Sequence, residues 1–201
     1  MKPLEPAAIA CGCILNLKMR RAYMCGSFAV AALLTAAAAA QDQTSIPALA
    51  PYFPTPISIV EKMLQLGELK AGEKMFDLGS GDGRIVIVAA QKYKADGTGV
   101  EFDESLWRQS SDRIKTLGLS NTAHIIHGDL LKQDYSSADL ITVYLLPVGN
   151  EKVTPMLEKQ LKKGTRIVAH DFEFKDWKPE KVESIEDDGE GRSHTLFLYR
   201  R

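Results

Sequence analysis

Three short stretches hold the residues best suited to chemistry. The first, KMFDLGSGDGRIVIV from Lys74 to Val88, sets Gly79, Gly81 and Gly83 between two apolar runs, with Asp77 ahead of them and Ser80 among them. A strand that runs into a glycine turn and then a helix aims backbone N–H groups and the helix dipole at whatever lies beyond the strand's end. Glycine is needed there because a side chain would fill the ligand's space. The spacing is G-x-G-x-G, with Arg84 where a dinucleotide fingerprint has its last glycine, and no Lys-Ser or Lys-Thr pair closes it as in a P-loop. A plain tight turn would leave a similar trace. The second stretch, GTGVEFD, carries Glu101 18 residues beyond Gly83. A carboxylate at that position can accept hydrogen bonds from both hydroxyls of a ribose, whereas Asp103 suits helix capping better. The third, HGDLL, carries Asp129 and Leu130. Asp129 is either an acceptor for an adenine amino group or an ordinary loop acid. Together the three set carboxylates at the ends of successive strands around one crevice, which points to an adenosine-containing cofactor.

The elements that must position these residues follow from periodicity. Strands are expected at Lys74–Leu78, Gly97–Glu101, Ala123–His127, Leu140–Leu145, Arg166–His170, Lys181–Ile185 and His194–Tyr199. Helices are expected at Arg84–Tyr93, Glu104–Leu117 and Glu151–Lys162, and another runs to about Leu69 with Thr55 as N-cap and Pro56 as its first residue. The alternation implies an α/β fold, a Rossmann-like seven-stranded, mostly parallel sheet with helices on both faces. No long helix separates the last two strands, so the final strand is expected to be antiparallel and inserted beside its predecessor.

The motifs DLGSGDGR, GVEFD and GDLL, in that order, resemble those of class I S-adenosylmethionine-dependent methyltransferases. Within that superfamily PYFPTP, YLLP and LKKGTRIVAHDF followed by Trp177 resemble the small lysine methyltransferases that act on the adenine nucleotide translocase and the ATP synthase c-subunit. The resemblance implies S-adenosyl-L-methionine as cofactor. It sets Gly79, Ser80, Gly81 and Gly83 around its methionine part, Asp77 at the loop or the amino group, Glu101 at the ribose, and Asp129 with Leu130 at the adenine. YLLP stands where amino methyltransferases often carry Asn/Asp-Pro-Pro-Tyr, which makes Tyr144 a candidate substrate-site residue and, equally, a candidate core tyrosine. The implied reaction is N-methylation of a protein lysine, with membrane proteins among the candidate substrates. A small-molecule methyltransferase and a non-catalytic S-adenosylmethionine-binding protein are the alternatives, with a nicotinamide dehydrogenase more distant.

Methyl transfer needs neither triad nor metal, and no metal site is expected. His124, His127, His170 and His194 show no close ligand spacing, although the pair His170-Asp171 lies near the crevice. The three cysteines, Cys11, Cys13 and Cys25, all precede residue 41, so residues 41–201 hold no disulfide framework and no cysteine nucleophile. Those residues carry 21 basic and 25 acidic side chains, a net of −4, which offers no basic footprint for nucleic acid. At 201 residues the chain suits one well-buried domain, assigned to 51–201, preceded by a linker at 41–50 and an extension at 1–40.

That extension speaks to location. Lys18, Arg20 and Arg21 precede an uncharged, Ala-rich run from Ala22 to Ala40 that ends in small residues, the pattern of a signal peptide or, at 19 residues, of a membrane anchor. The positive flank would keep the N-terminus inside and send the domain across, periplasmic or membrane-anchored. If translation begins elsewhere the domain is cytoplasmic. A methyl donor made in the cytosol stands in tension with export.

Overall fold

The computed structural model describes residues 51–201, and the expected signal or anchor segment and the linker at 41–50 lie outside them. Seven strands, β1 (Lys74–Leu78), β2 (Asp96–Glu101), β3 (Ala123–His127), β4 (Leu140–Val143), β5 (Arg166–His170), β6 (Lys181–Ile185) and β7 (His194–Arg200), form one sheet in the order β3-β2-β1-β4-β5-β7-β6. β1 to β5 pair in parallel, and β7 enters antiparallel to both β5 and β6. Within the sheet the sequence pattern explains the order. β4 and β5, LITV and RIVAH, are buried along their whole length and occupy the middle, while β3 and β6 are largely exposed at the edges.

Four α-helices cover the sheet: α1 (Ile57–Leu66), α2 (Arg84–Val88), α3 (Glu104–Thr116) and α4 (Pro147–Gln160). α1 buries Ile59, Val60, Met63, Leu64 and Leu66, a spacing of three and four residues that puts one apolar stripe against the sheet. Leu140, Val168 and Leu196 of the sheet belong to the same cluster. A second cluster includes Leu78, Ile141, Ile167, Val153 and Leu157, so truncating a fully buried member such as Ile141 to Ala should cost about 2–5 kcal/mol.

Several boundaries differ from expectation, each for a local reason. Thr55 does not cap α1. Pro56 occupies the cap position, no side chain caps the helix there, and the Thr55 hydroxyl meets His170 instead. α1 also stops at Leu66, because Gly67 follows and Glu68 turns to φ 50°. The helix expected over Arg84–Tyr93 is α-helical only to Val88 and continues as a π-turn over Ala89–Tyr93, closed by Lys94 in the left-handed region. α4 starts at Pro147 rather than Glu151, since the proline supplies a preset φ for a first helical residue. β4 ends at Val143, which leaves Tyr144 just past the strand and out of its hydrogen-bond ladder. Asp103 does cap α3, its carboxylate accepting the Leu106 N–H at 2.9 Å.

Candidate cofactor and acceptor site

At the carboxyl ends of β1, β2 and β4 lies a cavity of about 620 Å³. Gly79, Ser80, Gly81, Asp77, Glu101, Asp129, Leu130 and Tyr144 all line it, so the sheet brings the sequence candidates together, apart from Gly83. Gly83 begins α2 behind the loop at φ 74°, and a Cβ on it would stand 3.0 Å from Ser110 Cβ.

The glycine loop is built differently from the expected amide cradle. The N–H groups of Gly79 and Ser80 both donate to the Val100 carbonyl at 3.0 Å, and Gly83 N–H donates to Ser80 O at 2.9 Å. Gly81 N–H donates to Glu101 Oε2 at 2.7 Å. These amides tie the loop to β2 and make it a rigid wall. Gly79 and Gly81 take φ 79° and 53°, the left-handed region that glycine enters at no steric cost. From its place in the motif a side chain on Gly81 should enter the cofactor's space, yet a Cβ there would first strike the Tyr52 ring at 2.7 Å, in the segment that closes one side of the cavity. The Ser80 hydroxyl is directed at Gly99 beneath the loop and is buried without a hydrogen-bond partner. Only the remainder of Ser80 faces a ligand.

Arg84 joins loop and closing segment. Its guanidinium pairs with Asp82 through Nε–Oδ1 and Nη2–Oδ2, each 2.8 Å, and donates from Nη1 to the Thr55 carbonyl at 2.8 Å. Residues Tyr52 to Thr55 are thereby fixed over the glycine turn, a role for Arg84 that spacing alone did not reveal.

The electrostatics select a cationic ligand. Asp77, Asp82, Glu101, Asp103, Glu104 and Asp129 line the cavity against Arg84 as the basic residue there. Glu101 accepts from Gly81 through Oε2 and from Asp103 N–H through Oε1 at 2.8 Å, which leaves a lone pair on each oxygen for a ligand hydroxyl. Burial pushes Asp77 up to about 7; Thr142 Oγ1, donating to Asp77 Oδ1 at 2.7 Å, opposes the rise, and the nearby Glu101 and Asp82 charges add to it. Such a carboxyl stays poised to ionise when a cation arrives. Asp129 is half committed: Oδ1 caps the 3₁₀ turn Leu130–Lys132 through the Leu131 N–H at 2.9 Å. A pyrophosphate would meet mostly like charge here. S-adenosyl-L-methionine carries a sulfonium and an ammonium, and the donor set fits it, Glu101 and Asp77 being the groups that would hold its ribose and amino group.

Beyond β4 the wall changes character. Tyr144 leans on His170 with ring centroids 3.9 Å apart, and its hydroxyl donates to Asp171 Oδ2 at 3.3 Å. Burial and the Asp171 charge push the phenol up to about 12, so it keeps its proton in the neutral range. Sequence spacing separated His170 from His194, yet β7's insertion beside β5 brings His170 Nε2 within 2.9 Å of His194 Nδ1. His170 is almost fully buried, and burial pushes it down to about 4, so it is a neutral imidazole.

Comparison with known proteins agrees with this geometry. Residues 77–181 match the family model described as the ANTKMT methyltransferase domain. A protein-lysine N-methyltransferase from Saccharolobus islandicus is 39% identical over 150 residues, covering 74% of this chain and 92% of that protein. The human lysine N-methyltransferase of the ATP synthase c-subunit is 30% identical over 66% of this chain, which spans only 56% of that relative. Among solved structures, an RNA methyltransferase from Salinibacter ruber in complex with S-adenosyl-L-homocysteine superposes with a TM-score of 0.68 at 37% identity, covering 74% of this chain and 93% of that one.

Proposed function

The chain belongs to the ANTKMT methyltransferase family, and we propose that it methylates the side-chain amine of a lysine in a protein. It is an S-adenosyl-L-methionine-dependent methyltransferase with a Rossmann-like fold. When bound, the cofactor supplies a methyl group already activated on a sulfonium, so the protein chiefly contributes orientation and a dry, shaped site. Gly79, Ser80 and Gly81 would shape the pocket for its methionine part, with Gly83 supporting the turn from behind; Asp77 would take the ammonium, Glu101 the ribose, and Asp129 with Leu130 the adenine.

The observation that carries the lysine reading is the state of Tyr144. Its proton is committed to Asp171, so its oxygen is left as an acceptor on the cavity wall. An amine that donates one hydrogen to that oxygen has its lone pair held in a defined direction. Lysine has a pKa of about 10.4 in water, so the site must take up the neutral amine or help it lose its proton. Apolar Leu145 beside Tyr144 favours the neutral form by desolvation. Phe53 and Phe102, about half exposed at the cavity, offer an apolar rim to a protein segment, including one from a membrane protein.

The test is transfer of labelled methyl groups to a membrane-protein extract and to total RNA, with the modified group identified by mass spectrometry. Label on protein lysine is expected, at a rate that rises with pH through the neutral range. Label on a carboxylate, a hydroxyl or RNA overturns the reading; the RNA arm matters because the Salinibacter relative is described as an RNA methyltransferase. Location is a separate proposal, resting on the basic and Ala-rich residues 18–40. A chain begun at Met19 and expressed in a bacterium should mature to a form starting near Gln41. An intact N-terminus in the soluble cytosolic fraction would refute export.

A further inference from the structure

Beside the cavity, three donor atoms converge, two from the adjacent residues His170 and Asp171 and one from His194 on β7. Asp171 Oδ2 lies 3.3 Å from His170 Nε2 and 3.2 Å from His194 Nδ1, and the two nitrogens are 2.9 Å apart. Atoms that share one metal ion at about 2.0–2.2 Å, with angles between 90° and 109°, stand roughly 3.0–3.5 Å from each other. The triangle therefore has close to the size that one ion requires. Its backbone is arranged for the purpose: Asp171 takes φ 58°, unusual for a residue with a side chain, and its Oδ1 accepts the Thr195 N–H at 2.9 Å, which turns Oδ2 toward the imidazoles.

The surroundings orient both rings. His194 Nε2 meets Asp188 Oδ2 at 3.2 Å, and His170 Nδ1 meets Thr55 Oγ1 at 3.2 Å. Asp188 is held in turn by the N–H groups of Glu190 and Arg192 and by the Arg192 guanidinium. A carboxylate on the outer nitrogen draws the ring proton there and leaves the inner nitrogen of a neutral His194 as a lone pair. The inner nitrogen of His194 and Asp171 Oδ2 both accept; with the Thr55 hydroxyl donating to His170 Nδ1, the one ring hydrogen of His170 lies on Nε2 and serves His194, the position that an ion at the centre would take over. Asp171 Oδ2 receives only the Tyr144 hydroxyl, at 3.3 Å. A cation at the centre satisfies all three atoms at once, and the charges of Asp171 and Asp188 exceed that of Arg192.

We propose that His170, Asp171 and His194 form a three-ligand site for a divalent first-row transition metal ion of the zinc class. Two imidazoles and one carboxylate suit zinc, cobalt or manganese and lack the oxygen set that calcium or magnesium needs. Three protein ligands leave a position open, as in sites that also take water or substrate. The ion pins the end of β5 to the start of β7 and, through Thr55, to the segment that closes the cavity. The ion takes no direct part in methyl transfer, although Asp171 Oδ2 also accepts the Tyr144 hydroxyl, and the proposal stands whether or not lysine is the acceptor.

The experiment uses the full chain without an affinity tag, stripped with chelator, and titrated with Zn(II) by calorimetry and with Co(II) by visible absorption. One equivalent is expected to bind with a Kd of about 1 µM or tighter, the Co(II) band being displaced by Zn(II). His194→Ala should weaken binding at least 100-fold, and Asp188→Asn about 10- to 100-fold. Nitrogen-detected imidazole spectra of the unmodified protein give a reading that needs no variant: Zn(II) should shift His170 Nε2 and His194 Nδ1. Failure to bind stoichiometrically, equal binding by a folded His194→Ala, or a His170 Nε2–H that persists in Zn(II) would each overturn the site and leave a plain histidine–histidine hydrogen bond.

Discussion

The two walls of the cavity are held in different ways. On the cofactor side, Gly79, Ser80 and Gly81 are fastened to β2 by their own backbone amides, over sequence separations of about 20 residues. On the side proposed for the methyl acceptor, Tyr144, Asp171, His170, His194 and Thr55 are held by side-chain contacts, the longest spanning 115 residues. A wall fastened by backbone is sensitive to shape and to φ. One fastened by side chains is sensitive to the loss of single polar atoms, and its failures need not disturb the other wall.

Four changes test that division, the largest effect first. Gly81→Val combines a β-branched residue at φ 53° with a Cβ 2.7 Å from Tyr52, so cofactor affinity should fall at least 100-fold in a chain that still folds. Near-normal binding by calorimetry would mean that the glycine turn is structural. Glu101→Ala removes one anchor of the loop, the acceptor of the Asp103 N–H and the proposed ribose acceptor together; S-adenosyl-L-homocysteine should weaken by about 1.5–3 kcal/mol, roughly 10- to 150-fold. Unchanged affinity there removes the ribose assignment. Tyr144→Phe should lower turnover about 10- to 100-fold and leave cofactor affinity within a factor of two, since only the acceptor wall is touched. Full activity would return Tyr144 to a packing role.

The smallest effect concerns Asp77, which belongs to the cofactor wall yet is held by a side chain, Thr142. Its folded pKa near 7 lies above the ordinary 3.8, so the folded chain binds the extra proton. Stability should therefore decline as pH rises from about 4 to about 7, and Asp77→Asn should flatten that slope in chemical denaturation. Cofactor affinity should move the opposite way, rising severalfold between pH 6 and pH 8 as the carboxylate forms for the ammonium. An affinity that is flat with pH would detach Asp77 from the amino group.

The same division explains what could be read in advance. The cofactor wall was legible because strand, turn and helix are consecutive there, so DLGSGDG, GVEFD and GDLL each carry their geometry within a few residues. Strand limits followed from local pattern: β1, β3, β5 and β6 have the limits expected of them. The opposite wall was legible only in part: Tyr144 and the pair His170-Asp171 stood out, but not the contacts that join them. His170 and His194 are 24 positions apart and meet only because β7 turns back into the gap between β5 and β6. Thr55 looked like a helix cap by every local rule, and a buried imidazole outcompeted that use of its hydroxyl. The direction of the loop amides was also hidden, since spacing shows that glycines turn but not which carbonyl, here that of Val100, their N–H groups will find.

The inserted strand has a consequence for the timing of synthesis. β6 has no neighbour in the sheet except β7, and β7 lies between it and β5. While β7 is still inside the ribosome, β1 to β5 can already pair with one another, but β6 must wait and one flank of β5 stays unmated. The nascent chain should thus gain its cofactor pocket before the wall that depends on β7. That open flank is also the moment of greatest exposure to pairing with a foreign strand.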